Sequence, residues 1–180
     1  NRVKAHTDYH GRHESGLIKM MAIGLGKQAQ ANVLHRYGAA GLREHIPRVA
    51  KCMVASGKIL AGLAILEDGG DQTADLDFAL GEDIFALDSE FLFRSKQLMP
   101  RLPFDQVDVL IIDEMGKDIS GTGMDTNIIG RLCIRGEKDG LPDCTRIAVL
   151  RLTSGSHGNA IGIGLADITT RGLVGQIDWN

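Results

Sequence analysis

The chain opens on a polar stretch, residues 1–14, and turns apolar only from Ser15, with Leu17, Ile18, Met20, Met21 and Ile23 before the glycine pair Gly24 and Gly26. A helical pattern follows, in which Ala29, Val33, Leu34 and Tyr37 recur near i, i+4, i+8 spacing, and Gly38 and Gly41 are expected to close it. Residues 43–56 read as a second amphipathic helix, with Ile46, Val49, Met53 and Val54 on one face and Pro47 in the first turn. Ile59–Leu66 reads as a buried strand ended by an acidic turn, Glu67 to Asp71, and residues 82–98 read as helix. Pro100 and Pro103 punctuate a boundary. Beyond it the β-branched run VDVLII at 107–112 predicts a strand covered on both faces. A glycine-bearing loop from Glu114 to Gly123, a second buried strand at Ile147–Leu152 and a loop at 153–158 complete the pattern. Helices alternating with strands predict an α/β fold, with helices layered on a mainly parallel sheet and sites at the carboxyl ends of strands.

Composition narrows the function classes. Apolar residues make up 43% and charged residues 24%, which suits a packed globular chain. Lys and Arg total 20 against 23 acids, a formal charge of −3, so no electrostatic footprint points to nucleic acid or an anionic membrane. The longest mainly apolar stretch falls far short of the roughly 20 residues that span a bilayer. Cys52, Cys133 and Cys144 are too scattered for a disulfide framework or a metal knuckle and read as free thiols of a cytoplasmic protein. Glycine is high, 23 of 180, and aromatics low at 4%, a balance that favours backbone turns around a polar ligand. The chain begins at Asn1, and a fragment of a longer protein is the expectation.

Candidate chemistry concentrates near the start. His6, His10 and His13 lie at spacings of four and three, with Asp8 and Glu14 among them. On a helix they would share a face, as a zinc or iron site needs, whereas Gly11 and the polar composition favour a loop. Imidazoles beside acids also suit acid–base work, because they titrate near neutrality. Lys19 stands alone in an apolar run, so it either snorkels to solvent or takes a depressed pKa and becomes nucleophilic. His35 follows sixteen residues later. An unbroken helix would hold the two roughly 24 Å apart, so a shared site needs a chain reversal at Gly24 or Gly26; otherwise His35 is structural. GLGK at 24–27 lacks the phosphate-loop spacing, Gly162 and Gly164 lack the third dinucleotide glycine, and the acidic run Asp68 to Asp77 fits turns rather than a calcium loop. His157 sits where α/β proteins place ligand loops, and either a functional or a structural role is open to it.

The segments HTDYHGRHESGLIKMMAIGLGKQ, VLHRYG, VDVLIIDEMGKDISGTGMDTNIIGR and SHGNAIGIGLAD together resemble the nickel-dependent lactate racemase family, in its lactate racemase-like branch. The resemblance runs from Asn1 to about Asp178. It implies a two-domain α/β architecture whose N-terminal portion is missing here. Residues 1–103 would then be the C-terminal portion of the catalytic domain and 104–180 the start of a second α/β domain. It implies a racemase or epimerase of a 2-hydroxy acid, working by hydride abstraction and return with a histidine acid–base pair on a nickel pincer nucleotide. Lys19 matches the tethering lysine and His35 the nickel-ligating histidine. His6 matches an acid–base histidine, with His10 its rival, and Asn127, Arg131 and His157 are loose counterparts of substrate-side residues. The longer interval from His6 to Lys19, filled by two extra histidines, departs from the family. Two other readings stand beside it: a zinc or iron enzyme built on the three histidines, and a ligand-binding homologue without catalysis.

Overall fold

The structure is a computed structural model that describes residues 1–70 and 72–179. The chain divides into two compact units, Asn1–Pro100 and Arg101–Asn180. The fold is α/β, and each unit has its own three-stranded sheet and its own apolar core.

In the first unit, β1 (Arg2–Val3) runs parallel to β2 (Ala61–Glu67), which pairs antiparallel with β3 (Thr73–Leu80). Strand β2 alternates, turning Gly62, Ala64 and Leu66 inward. Against them pack α1 (Leu17–Lys19) and α4 (Asp83–Leu98), whose Ile84, Leu87, Phe91 and Leu92 recur at helical spacing along a buried stripe. Gly62 permits the close approach: a Cβ there would meet Leu17 Cδ1 at 3.0 Å and Ile84 Cγ2 at 3.1 Å. The opposite face of this sheet leaves Leu63, Leu76, Phe78 and Leu80 exposed.

Strand β3 corrects the reading of Asp68 to Asp77 as turns. The stretch alternates Asp75, Leu76, Asp77 and Phe78, a strand period with its polar side toward the helix layer, where Asp75 pairs with Arg94 of α4 at 2.6 Å. Asp71, the last residue of the expected acidic turn, lies outside the described residues. Helix α1 continues into a π-helical turn, Met20–Leu25; α2 spans Lys27–His35 and α3 spans Gly38–Ala55. Gly38 and Gly41 therefore open α3 rather than close α2, and Pro47 lies inside α3, not in its first turn. The reversal falls at Arg36 and Tyr37, so α3 begins well before the position where its apolar stripe becomes legible.

In the second unit β4 (Gln106–Met115), β5 (Asp143–Leu152) and β6 (Ile168–Thr169) are parallel, in that order. Ile147 and Val149 are fully buried with Leu173 of α6 (Arg171–Gln176) and Ile129 of α5 (Thr126–Ile129). Strand β4 is not covered on both faces: Val109 and Ile111 are 50% and 62% exposed. A continuous β-branched run records strand propensity, but burial of its second face needs a layer that the described residues of this unit do not supply. Among the described residues no helix is long and apolar enough to cross a membrane.

Candidate functional site

The segment between β1 and α1 is irregular, so the three N-terminal histidines do not share a helical face. Two buried acids organise it instead. Glu14, 1% exposed, accepts the Gly11 amide at 2.9 Å and the Lys96 ammonium at 2.5 Å, and His10 Nδ1 lies 3.5 Å away. Asp88, fully buried on α4, accepts the Leu17 and Ile18 amides on Oδ1 at 2.5 and 3.3 Å and His13 Nδ1 on Oδ2 at 3.0 Å. A helix starts with amides that have no partner within it, and this carboxylate meets two of them from a neighbouring helix. Gly16 makes the contact possible. Its φ is +100°, and a Cβ there would come within 2.4 Å of Asp88 Oδ1.

This support presents Lys19 to a cavity of about 410 Å³. Arg2, Lys4, His6, Ser15 and Lys19 form its polar wall, and Met20 and Ile23 contribute apolar surface. Lys19 Nζ stands 3.3 Å from His6 Nε2. His6 Nδ1 faces the Lys4 carbonyl at 2.7 Å, a contact that needs the hydrogen on Nδ1, with Ser15 Oγ 3.2 Å from the same nitrogen. In the neutral ring Nε2 then carries the lone pair and faces the lysine as a proton acceptor. Burial pushes the Lys19 amine below the ordinary lysine value, against the opposing pull of Asp8 and Glu14. The depressed-pKa reading of Lys19 thus has a physical basis in its surroundings.

The other candidates separate. His10 pairs with Glu14, and His13 packs edge-on to Phe85 while holding Asp88, so neither joins His6 at the cavity. Among the described residues no group of three or more His, Cys, Asp or Glu side chains could hold a metal ion. His35, exposed at the end of α2, points Nδ1 at the Ala31 carbonyl, 2.7 Å away, and is not among the cavity-lining residues. The helical path from Lys19 breaks at Gly26 and Lys27, where Lys27 takes a positive φ of 57°.

In the second unit Asn127 serves the start of α5, its amide and side chain both directed at Asp125 Oδ1. Arg131 ties two segments together: it donates to Asp167 at 2.6 Å and the Leu165 carbonyl at 3.0 Å in one, and to the Cys144 carbonyl at 2.7 Å in the other. Those bonds give it a scaffold role. His157 is exposed in a left-handed conformation, φ 49°, just after β5. Asp118, which sequence reasoning passed over, joins the loops after β4 and β5 by accepting the Thr153 and Ser156 hydroxyls. The Thr153 bond, followed by the backbone and Ser156 contacts, holds its carboxyl below the usual carboxylate range.

Ser15 and Asp88 also went unread, and Glu14 was read only as an acid beside the histidines, not as a buried anchor. Asp88 did leave a signal, since it interrupts the apolar stripe of α4 at an inward position. Comparison of the chain with protein-family models, with curated proteins and with solved structures found no match.

Proposed function

We propose that the first unit carries the core of a 2-hydroxy-acid racemase or epimerase, with Lys19 as the anchor of a nickel pincer nucleotide. The observation that carries this reading is the contact of Lys19 Nζ with His6 Nε2, at 3.3 Å, on the wall of a cation-lined cavity. The residues present suit such a group at the lysine: a partly desolvated amine is easier to keep there once it becomes an uncharged thioamide. His35, the nickel ligand that the resemblance implies, lies outside the cavity lining with Nδ1 directed at the Ala31 carbonyl, so the fit to the group rests on the lysine alone. Bound, the group supplies an acceptor for the substrate α-hydrogen.

The rest is work for this chain's own side chains. His6 Nε2 accepts the hydroxyl proton of the substrate and returns it, its tautomer held by the Lys4 carbonyl. Lys4 and Arg2, the latter also paired with Glu67 at 3.3 Å, place cations on the cavity wall for a carboxylate. His10, paired to Glu14 outside the cavity, is the weaker candidate for the proton transfer. Zinc or iron on His6, His10 and His13 draws no support from side chains that engage three separate partners.

The test is an intact mass with nickel analysis on the protein purified from its own host. The reading expects a mass excess on a peptide containing Lys19 and about one nickel per chain, both lost in Lys19→Ala. Unmodified Lys19 in active protein, or undiminished turnover in that variant, refutes it.

A further inference from the structure

A lysine amine and an imidazole lone pair in a pocket of cations form a constellation that has chemistry of its own, whatever the amine later carries. Lys19 Nζ lies 3.3 Å from His6 Nε2, the nitrogen that bears the lone pair because Nδ1 points its hydrogen at the Lys4 carbonyl. The amine borders an open volume of about 410 Å³, large enough for a compound of a few carbons, with Lys4 and Arg2 on the same wall, Arg2 also pairing with Glu67 at 3.3 Å. A nucleophilic amine with an adjacent base and a cationic surround is what capture of an anionic carbonyl compound needs.

We propose that the unmodified Lys19 amine captures 2-oxo acids as a protonated imine, with His6 moving the proton; this rests on reading the cavity as a site for 2-hydroxy and 2-oxo acids. His6 Nε2 takes a proton from the ammonium, and the freed nitrogen bonds to the ketone carbon as the carbonyl π bond opens. The oxygen takes up that proton through His6, and a second from the nitrogen, and leaves as water. The product is the carbon–nitrogen double bond carrying one hydrogen and one positive charge. Two hydrogens have moved from the ammonium to water, and nothing is oxidised or reduced. Burial of Lys19, which favours its neutral form, works in the same direction. The carboxylate of the captured acid would meet Lys4, and Arg2 in exchange for or beside its pairing with Glu67.

The experiment uses the full chain made in a host that leaves Lys19 unmodified, verified by intact mass, with pyruvate as the probe and sodium cyanoborohydride as the trap. The expected result is a single reductively attached adduct on the peptide containing Lys19, absent in Lys19→Arg, which keeps the positive charge. His6→Gln slows trapping by roughly a hundredfold at unchanged circular dichroism. Acetone, which keeps the ketone and lacks the carboxylate, traps at least about tenfold less. Adducts spread over Lys4, Lys27 and Lys51, equal trapping of acetone, or no adduct at all overturns the proposal. The two readings of Lys19 fail separately. A chain that traps nothing, yet from its own host carries a mass excess and nickel, refutes the imine and keeps the anchor. Trapping at Lys19 with no modification in the host does the reverse.

Discussion

At the scale of single residues, the first unit contains two polar groups whose burial is incompletely offset. The Tyr9 side chain is 5% exposed and its hydroxyl has no hydrogen-bond partner among the described residues. Burial, followed by the charge of Glu14, pushes its phenol well above the ordinary tyrosine value. A buried hydroxyl without a partner loses its hydration for nothing in return. Tyr9→Phe is therefore expected to be neutral or to stabilise by up to about 1–2 kcal/mol, read as the urea midpoint at constant slope. A clear loss of stability would reveal a partner for the hydroxyl. Lys19 is the second case. Its folded pKa lies below its unfolded value, so the unfolded chain binds more protons between the two and stability rises with pH across that window. At lower pH the cost of the half-buried ammonium is present in full. Lys19→Met removes both the cost and the slope, so its unfolding free energy should gain at neutral pH and flatten on the alkaline side. A slope unchanged by the substitution would assign it to another group.

At the scale of elements, α1 depends on α4 for its start. Its first three residues are too few to be helical by propensity, and what holds them is Asp88 beneath the Leu17 and Ile18 amides. Removing that carboxylate leaves two amides and the His13 imidazole without their partner in a buried place. Asp88→Ala is expected to destabilise by about 3–5 kcal/mol, with loss of amide-exchange protection at Leu17 and Ile18 ahead of the rest of the unit. Uniform protection loss across the unit would argue against a local role. Strand β3 shows a different device. It is an edge strand, and Asp75 and Asp77 accept the amides of Leu76 and Phe78 on their own side chains. Charges and occupied amides along an edge discourage further strands from adding there.

At the scale of the molecule, two cores imply two cooperative units, each with its own pH sensitivity. In the second unit the Arg131 guanidinium, and then the Ile147 amide, hold the Asp167 carboxyl below the usual carboxylate range. A carboxyl depressed on folding contributes stability that is complete above its unfolded pKa and is lost as pH falls through its folded value. Asp167→Asn should lower the thermal transition of the second unit at neutral pH and weaken its dependence on pH below about 4, while the first unit's transition stays in place. Movement of both transitions together would show that the cores unfold as one.

The element types of α4, β4 and β5 were legible in the chain, because an apolar stripe at 3.6 residues and a β-branched run are local properties of neighbouring side chains. The oddity of Lys19 was legible for the same reason, as one cation in an apolar run. The period of β3 was present too, but its apolar side faces solvent, so it did not announce a buried strand. Which histidine meets Lys19 was not legible, since three imidazoles within eight residues look alike until Glu14 and Asp88 claim two of them. The His13–Asp88 and Leu17–Asp88 contacts join residues 75 and 71 positions apart. Sequence by itself thus determined which segments are helix or strand and which residues are chemically out of place. Tertiary structure decided which faces are covered, which acids are buried, and that His6 alone of the three stands at the lysine, because each of these follows from contacts between segments distant along the chain.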